Sequence, residues 1–207
     1  MFRHLNDIID NEINEPNLDF YSVIVGTKPS EGARSPKLWN KCYSYEEKNI
    51  RMVPLDVSEE KIEQLFNYLK QDKCCLGGAV AVPYKERIFN LIKDNVEEEI
   101  KAIGAVNCFH RTANGSLIDD FTGTNTDGEA AIEPIKKQLT ESQNLNIGLL
   151  GYGGAGKAIL AFLLRDFKKK HKIHVFNRSP VNINDSKKFD LYSYSLHDLE
   201  TFLPHFD

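Results

Sequence analysis

The chain lacks the features that mark several large classes of protein. Its four cysteines show no paired metal-ligand spacing, and the adjacent Cys74 and Cys75 suit neither a zinc site nor a disulfide framework. Positive charge is not in excess, since 26 Lys and Arg face 30 Asp and Glu for a net charge of −4. No apolar run approaches the length of a membrane span, and segment 1–20 carries acidic residues where a signal peptide needs an apolar core.

These absences exclude whole groups of partners. We expect no metal, no membrane attachment and a cytoplasmic location. We also expect no nucleic acid as a partner, because binding to a phosphate backbone needs clustered Lys and Arg. The sequence does contain enough apolar material to fold, since 41% of its 207 residues are hydrophobic and 27% are charged. Such a composition buries a core and disfavours a disordered or fibrous chain.

Apolar runs alternate with helix-period segments, which is the pattern of βαβ units that build a mostly parallel sheet. We therefore predict an α/β fold, with early strands at Tyr21–Gly26, Ile50–Leu55 and Leu76–Val82. Residues 104–111, the dipeptide Asn114–Gly115 and residues 116–119 together predict a hairpin. A polar stretch at 140–144 is predicted to be a hinge, which gives a first domain over residues 1–139 and a second over 145–207.

The second domain opens with a glycine-rich turn between an apolar strand and an apolar helix. In the dinucleotide-binding fingerprint, the first glycine permits the tight turn, here Gly151. The second, Gly153, lets the backbone approach a pyrophosphate, and the third, Gly156, lets helix and strand pack closely. Gly154 and Ala155 begin the helix, whose N-terminus offers N–H groups and partial positive charge to phosphates. A turn that merely reverses the chain is the alternative, but the flanking strand and helix favour nucleotide binding.

The end of the next strand indicates which cofactor is preferred. A protein that prefers NAD places Asp or Glu there to bind the ribose 2′-hydroxyl, whereas this chain has Asn177, Arg178 and Ser179. A guanidinium pairs with a 2′-phosphate, and a carboxylate would repel it. We therefore predict NADP as the cofactor, although Arg178 taken alone also fits an ordinary solvated turn.

Four motifs now stand in one order: GAVAVPYKE at 78–86, GAVN at 104–107, GTNTDG at 123–128, and the Asn-Arg-Ser exit at 177–179. They resemble the Asn-Val-Thr-Val-Pro-aromatic-Lys, Gly-Ala-Val-Asn, Asn-Thr-Asp and Asn-Arg-Thr motifs of the shikimate dehydrogenase family. The resemblance covers most of the chain from about Tyr21 to Ser179. It implies an N-terminal α/β substrate-binding and catalytic domain followed by a Rossmann-type NADP-binding domain.

The resemblance also implies an activity, which is hydride transfer between NADP(H) and a cyclic hydroxy or keto acid such as shikimate or 3-dehydroshikimate, in aromatic amino acid biosynthesis. As the carbonyl oxygen becomes an alkoxide it needs a proton donor, and Lys85 matches the family's lysine in that role. Asp127 would hold and polarise this lysine. Asn107 and Ser35 would bind the substrate. Taken alone, Lys85 also fits a surface helix lysine and Asp127 a helix N-cap.

Three positions depart from the family pattern. Ala79 and Ala81 stand where the family has Asn and Thr before the lysine, and Ala33 replaces the first serine of a Ser-x-Ser-Pro loop, so that only Ser35 remains. Each lost hydrogen bond is worth roughly 1 kcal/mol, which for three predicts shikimate binding weaker by about a hundredfold or more. Such a pocket favours a less hydroxylated ring. Arg34 or Lys37 is a candidate replacement anchor for a substrate carboxylate.

The resemblance ends before the family's cofactor domain is complete. We therefore expect a C-terminally truncated Rossmann-type domain that binds the adenosine and pyrophosphate of NADP but shows little dehydrogenase activity, and an apolar sheet edge that favours a homodimer. Two alternatives stay open. One is a non-catalytic NADP- or ligand-binding protein on the same scaffold, which the missing polar groups favour. The other is a methylenetetrahydrofolate dehydrogenase-like enzyme, which has a similar two-domain plan.

Overall fold

The computed structural model describes residues 2–14, 18–112, 120–167, 171–183 and 190–206. The chain divides into two compact units, Met1–Thr124 and Asn125–Asp207. The boundary differs from the predicted hinge at 140–144, and the reason is a helix contact. Gly128, in the first helix of the second unit, lies so close to the later helix that carries Ala158 that an added Cβ would stand 2.3 Å from the Ala158 carbonyl oxygen.

The first unit contains a five-stranded sheet in the order β2-β1-β3-β4-β5. Its strands are β1 (Phe20–Gly26), β2 (Ile50–Asp56), β3 (Cys75–Val80), β4 (Cys108–Arg111) and β5 (Phe121–Thr124). The first three are parallel, whereas β4 and β5 are antiparallel to their neighbours. β4 lies within the first predicted hairpin strand, whereas the predicted turn at Asn114–Gly115 and the second predicted strand at 116–119 lie outside the described residues, and the strand that pairs with β4 is β5.

The described part of this unit contains six α-helices: α1 (Arg3–Asn6), α2 (Pro29–Gly32), α3 (Ser35–Tyr45), α4 (Ile62–Gln71), α5 (Lys85–Ile92) and α6 (Glu98–Ile103). The apolar spacing of α4 places four side chains in the core, namely Ile62, Leu65, Phe66 and Leu69. The Phe66 ring packs on Phe109 and Phe121 of the hairpin, with ring centroids 5.1 and 5.5 Å away. This aromatic cluster fixes β4 and β5 against α4.

Arg111, at the end of β4, ties the hairpin to the end of α4 and the start of the neighbouring strand β3. Its guanidinium donates to the backbone carbonyls of Leu69, Lys70, Asp72 and Cys75 at distances between 2.7 and 3.1 Å. These carbonyls belong to the end of α4 and the start of β3, so a cation meets the negative end of a helix there.

The second unit contains a parallel sheet in the order β6-β7-β8, formed by Asn146–Leu150, Lys172–Asn177 and Leu191–Ser195. Its helices are α7 (Asp127–Ile132), α8 (Lys136–Glu141), α9 (Gly154–Phe167) and α10 (Leu199–Phe202). One sheet face packs on α9 through apolar side chains that include Leu163 and Val175. The other face meets the C-terminal segment, where an added Cβ on Gly148 would lie 3.2 Å from the Phe206 ring. This is one βαβ half of a doubly wound fold.

Candidate functional site

The link between β3 and α5 brings candidate substrate residues to one edge of the first sheet. Ala79 lies in β3, Ala81 follows it, and Lys85 is the first residue of α5. The link is fixed at both ends, because the Ala81 N–H donates to the Val25 carbonyl at 2.8 Å and the Tyr84 hydroxyl donates to the buried Val57 carbonyl at 2.7 Å. The helix therefore begins at a defined place, with Lys85 half-buried at its N-terminus.

The adjoining hairpin brings Asn107 to the same edge. Its carbonyl accepts from the Val80 N–H at 2.8 Å, and its own N–H donates to the Thr124 carbonyl at 3.1 Å. The preceding residue, Val106, donates its N–H to the Lys85 carbonyl at 3.0 Å. Lys85 and Asn107 are therefore held together through backbone contacts, although they are 22 residues apart in the chain.

Ala79 has neighbours that the sequence did not reveal. The sheet register places it directly opposite Cys108 on β4, and Cys108 directly opposite Thr124 on β5. Paired residues of antiparallel strands point to the same face, so these three half-buried side chains form one row. Burial raises the pKa of the Cys108 thiol above its ordinary value, which keeps it neutral. The row is therefore mostly apolar.

Ser35 lies at the start of α3, on the segment that leaves the same sheet at the end of β1. Helix α3 is anchored to β2 by Asn40, whose Nδ2 donates to the Met52 carbonyl at 3.1 Å and whose Oδ1 accepts the Met52 N–H at 2.6 Å. Ser35 is half-buried, Arg34 is exposed and Ala33 is half-buried just before it.

Asp56, a residue that sequence reasoning missed, positions this segment. It is 8% exposed at the end of β2 and accepts hydrogen bonds from both the N–H, at 2.9 Å, and the hydroxyl of Ser30 in α2. Its own N–H donates to the Asn11 side chain at 2.8 Å. A carboxylate directly after an apolar strand was the available signal, but nothing in the local sequence connects it with Ser30.

Asp127 belongs to the second unit, as the first residue of α7. Asp127 lies within the helix and is therefore not its N-cap. Asn125, two residues earlier, accepts the Asp127 N–H on Oδ1 at 3.0 Å. Asn125 is 5% exposed, so this buried amide fixes the start of the helix and leaves Asp127 half-buried. Lys85 and Asp127 therefore reside in different units, and their pairing stays a prediction.

The glycine turn has the geometry that the fingerprint demands. Gly151 has a φ of 92°, a conformation that favours glycine, and its N–H donates to the Phe176 carbonyl at 2.7 Å. An added Cβ on Gly156 would stand 2.2 Å from the Gly151 carbonyl oxygen, whereas one on Gly153 would meet nothing within 4 Å. The turn is thus closely packed where strand meets helix and open beside Gly153, with Gly154 and Ala155 in the first turn of α9.

The exit of β7 carries the remaining cofactor candidates. Asn177 is the last residue of the strand and is half-buried, whereas Arg178 and Ser179 are exposed. The Asn177 side chain contacts the protein itself, because its Oδ1 accepts the Tyr152 N–H at 3.3 Å and its Nδ2 donates to the Ser179 carbonyl at 3.2 Å. Tyr152 was not among the predicted residues.

Comparison with known proteins decides how these features are grouped. Residues 25–109 match the model described as the shikimate dehydrogenase substrate binding domain. The resemblance to the shikimate dehydrogenase family is confirmed. The matched span runs from the end of β1 to the start of β4. It includes Ser35, Ala79, Ala81, Lys85 and Asn107.

Individual relatives extend the match into the second unit. The shikimate dehydrogenase (NADP(+)) of Methanococcus vannielii is 30% identical over 173 residues, which cover 83% of this chain and 56% of that protein. The enzyme of the same name from Carboxydothermus hydrogenoformans is 35% identical over 136 residues, which cover 66% of this chain and 46% of that protein. The chain thus spans about half the length of the curated relatives it matches.

A solved structure supports the same fold. The crystal structure of shikimate dehydrogenase from Aquifex aeolicus superposes with a TM-score of 0.71 at 26% identity, covering 94% of this chain and 68% of that one. The predicted α/β class with a Rossmann-type second part is therefore confirmed. Within the described residues, no helix combines the length and apolar character that a membrane crossing requires.

Proposed function

We propose that the chain supplies the substrate site and the adenosine-nucleotide site of an NADP-dependent dehydrogenase that acts on a cyclic hydroxy or keto acid. The observation that carries this proposal is that backbone contacts bring Lys85 and Asn107 together at one edge of the first sheet, and both residues lie within the span that matches the family model. The relatives named shikimate dehydrogenase (NADP(+)) support the same reaction class. A cytoplasmic location and a homodimer stay predictions.

The residues of the second unit fit NADP. The space beside Gly153 lets a pyrophosphate approach the backbone, and the N-terminus of α9 directs N–H groups and partial positive charge to the same place. Arg178 is an exposed cation at the exit of β7, where a 2′-phosphate is recognised in this fold. When bound, NADP(H) supplies the hydride acceptor or donor. The chain's own residues hold and orient the two reactants.

In the first unit, we assign proton transfer to Lys85. Its ammonium delivers a proton to the substrate oxygen during reduction, and its neutral amine accepts the proton of the substrate hydroxyl during oxidation, because an alkoxide must not accumulate. The family pattern assigns Asp127, a residue of the second unit, to orient this ammonium, and Asn107 to donate a hydrogen bond to a neighbouring ring hydroxyl. Ser35, helped by the exposed Arg34, binds the substrate carboxylate. These roles follow from the family positions.

The row formed by Ala79, Cys108 and Thr124 narrows the substrate class. Two of the three side chains make no strong hydrogen bond, so a ring hydroxyl directed at them would lose its water without compensation. We therefore propose a cyclic acid with fewer ring hydroxyls than shikimate as the better substrate. The same feature favours a second candidate function, a ligand-binding protein without turnover.

Measurement of NADP reduction with shikimate and a panel of less hydroxylated cyclic acids tests the proposal. In an active form of the protein, Lys85→Ala should lower turnover by about a hundredfold or more with little change in nucleotide affinity, because a proton donor acts in the transition state. Lys93→Ala, at an exposed lysine just after the same helix, is the matched control. Near-normal turnover of Lys85→Ala, or no binding of NADP by the chain, would contradict the proposal.

A further inference from the structure

The side chain of Asn177 connects the glycine turn after β6 with the segment that leaves β7. Its acceptor is used on the glycine turn, where it receives the Tyr152 N–H at 3.3 Å, and its donor is used on the strand exit, at the Ser179 carbonyl 3.2 Å away. An amide offers an acceptor and a donor on two separate atoms of one short side chain, whereas an ionised aspartate is acceptor-only and a serine carries both functions on one shorter hydroxyl. The contact therefore depends on asparagine rather than on any polar residue.

The glycine turn is held from the same side by a second bond. The Gly151 N–H donates to the carbonyl of Phe176, the residue before Asn177. Asn177 itself is fixed in the sheet, where it lies opposite Ser195 of β8. Two consecutive residues of β7 thus carry the turn, one through its backbone and one through its side chain.

Arg178 lies in the chain between Asn177 and Ser179, the two residues that the second hydrogen bond of the Asn177 side chain joins. It follows Asn177 directly and precedes Ser179, whose carbonyl the Asn177 side chain binds. The Arg178 side chain is exposed, so ordering it on a ligand costs conformational entropy. A backbone that is already fixed on both sides lowers that cost, because fewer torsions remain to be ordered on binding.

Resting on the proposed function, we propose that Asn177 is a positioning residue that couples the pyrophosphate turn to the Arg178 loop. Its side chain acts on the protein rather than on the cofactor. The subsites for the pyrophosphate and the 2′-phosphate are consequently organised together, and recognition of the 2′-phosphate by Arg178 depends on Asn177. This assigns different roles to two adjacent residues of one motif.

A double-mutant cycle measured by calorimetry tests the coupling. Dissociation constants for NADP, NAD and adenosine 2′,5′-bisphosphate are determined for the full chain and for Asn177→Ala, Arg178→Ala and the double variant. In the parent, Arg178→Ala should weaken NADP by about 10- to 100-fold and NAD by less than about threefold, the range for a charge-assisted pair. In the Asn177→Ala background, the same change should weaken NADP by less than about threefold.

Each outcome separates a different explanation. If Asn177→Ala causes only a general structural fault, it weakens the binding of NAD and NADP alike and leaves the effect of Arg178→Ala on NADP binding unchanged. That result would overturn the proposed coupling. Asn182→Ala removes an exposed amide further along the same segment and should leave the Arg178 effect intact. If Asn177→Ala does not fold, Asn177→Ser gives the same comparison, since its hydroxyl is too short to serve both partners. Failure of the parent chain to bind either NADP or the bisphosphate would refute the proposed function itself.

Discussion

The candidate site of the first unit is formed by side chains, whereas that of the second unit is formed mainly by backbone groups. In the first unit the site positions are side chains, and two of them, Ala79 and Ala81, have lost the polar groups of the family pattern. In the second unit the site consists mainly of backbone, with Gly151 at a φ of 92° and Gly156 against a carbonyl oxygen. A side chain is exchanged without moving its strand, whereas a different backbone path would disrupt the packing of strand and helix.

This difference teaches where specificity resides. A turn that is fixed by glycines recognises any pyrophosphate, because it uses the backbone N–H groups that every residue except proline carries. A row such as Ala79, Cys108 and Thr124 is set residue by residue and discriminates among ring substituents. We therefore expect changes in the second unit to affect folding and nucleotide binding, and changes in the first to affect the choice of substrate.

The largest effect is expected from Gly156→Ala. The new Cβ would lie 2.2 Å from the Gly151 carbonyl oxygen, a backbone atom that cannot move without shifting β6 or α9. Overpacking of this kind costs about 3 kcal/mol, which should appear as a lower midpoint in chemical denaturation and as lost NADP binding. Gly153→Ala is the matched control, since its Cβ would meet nothing within 4 Å. It should leave stability within about 1 kcal/mol of the parent while still weakening the nucleotide. Equal stability of the two variants would show that the turn is not closely packed.

Much of this backbone framework was predictable from the sequence. The runs at Ile50–Leu55 and Tyr21–Gly26 became β2 and β1, because β-branched residues between turn signals specify a buried strand. The short helices α1, α2 and α6 were missed, since four to six residues carry too little periodicity. The close contact between Gly128 and Ala158, which accompanies the division between Thr124 and Asn125, likewise has no signal in the local sequence.

The sequence proposes site residues only where a motif carries them. Lys85 and Asn107 are predicted from the family pattern, and the backbone bond between Val106 and Lys85 accounts for their proximity. The contact of Asp56 with Ser30 joins residues 26 positions apart, so the local sequence around either residue does not predict the other as its partner. Cys108 likewise gained a place beside Ala79 only from the strand register. Contacts of this kind follow from tertiary packing and not from local pattern.

Restoring two polar groups in the first unit is expected to have an intermediate effect. Ala79→Asn combined with Ala81→Thr should improve turnover or binding of shikimate by about thirtyfold, since two hydrogen bonds are worth roughly 2 kcal/mol. Initial rates at low shikimate concentration measure the change in kcat/KM of an active form. Ala102→Asn, at an exposed alanine of α6, controls for the added amide. No gain over this control would show that the alanines do not determine specificity.

The smallest effect concerns His174 in β7, on the face of the second sheet that the C-terminal segment covers. Among the described residues, neither ring nitrogen has a hydrogen-bond partner. Aromatic rings surround it, with centroids 5.2 Å away for Tyr192 and 5.5 Å for Phe206. Burial, followed by the nearby Lys172 ammonium, lowers the pKa of His174 below its ordinary value.

The sign of the resulting pH dependence is fixed. Because the folded state disfavours protonation, His174 contributes stability above the ordinary histidine pKa, and that contribution is lost as the pH falls through the lowered folded value. His174→Phe removes the unpaired nitrogens and should raise the free energy of unfolding at neutral pH by about 1 kcal/mol. Urea denaturation between about pH 7 and pH 5 should then show a smaller loss of stability in the variant than in the parent. His197→Phe, at an exposed histidine after β8, should leave the parent's pH dependence intact. Identical slopes for the parent and His174→Phe would mean that His174 is solvated in the folded protein and that the C-terminal segment does not enclose it.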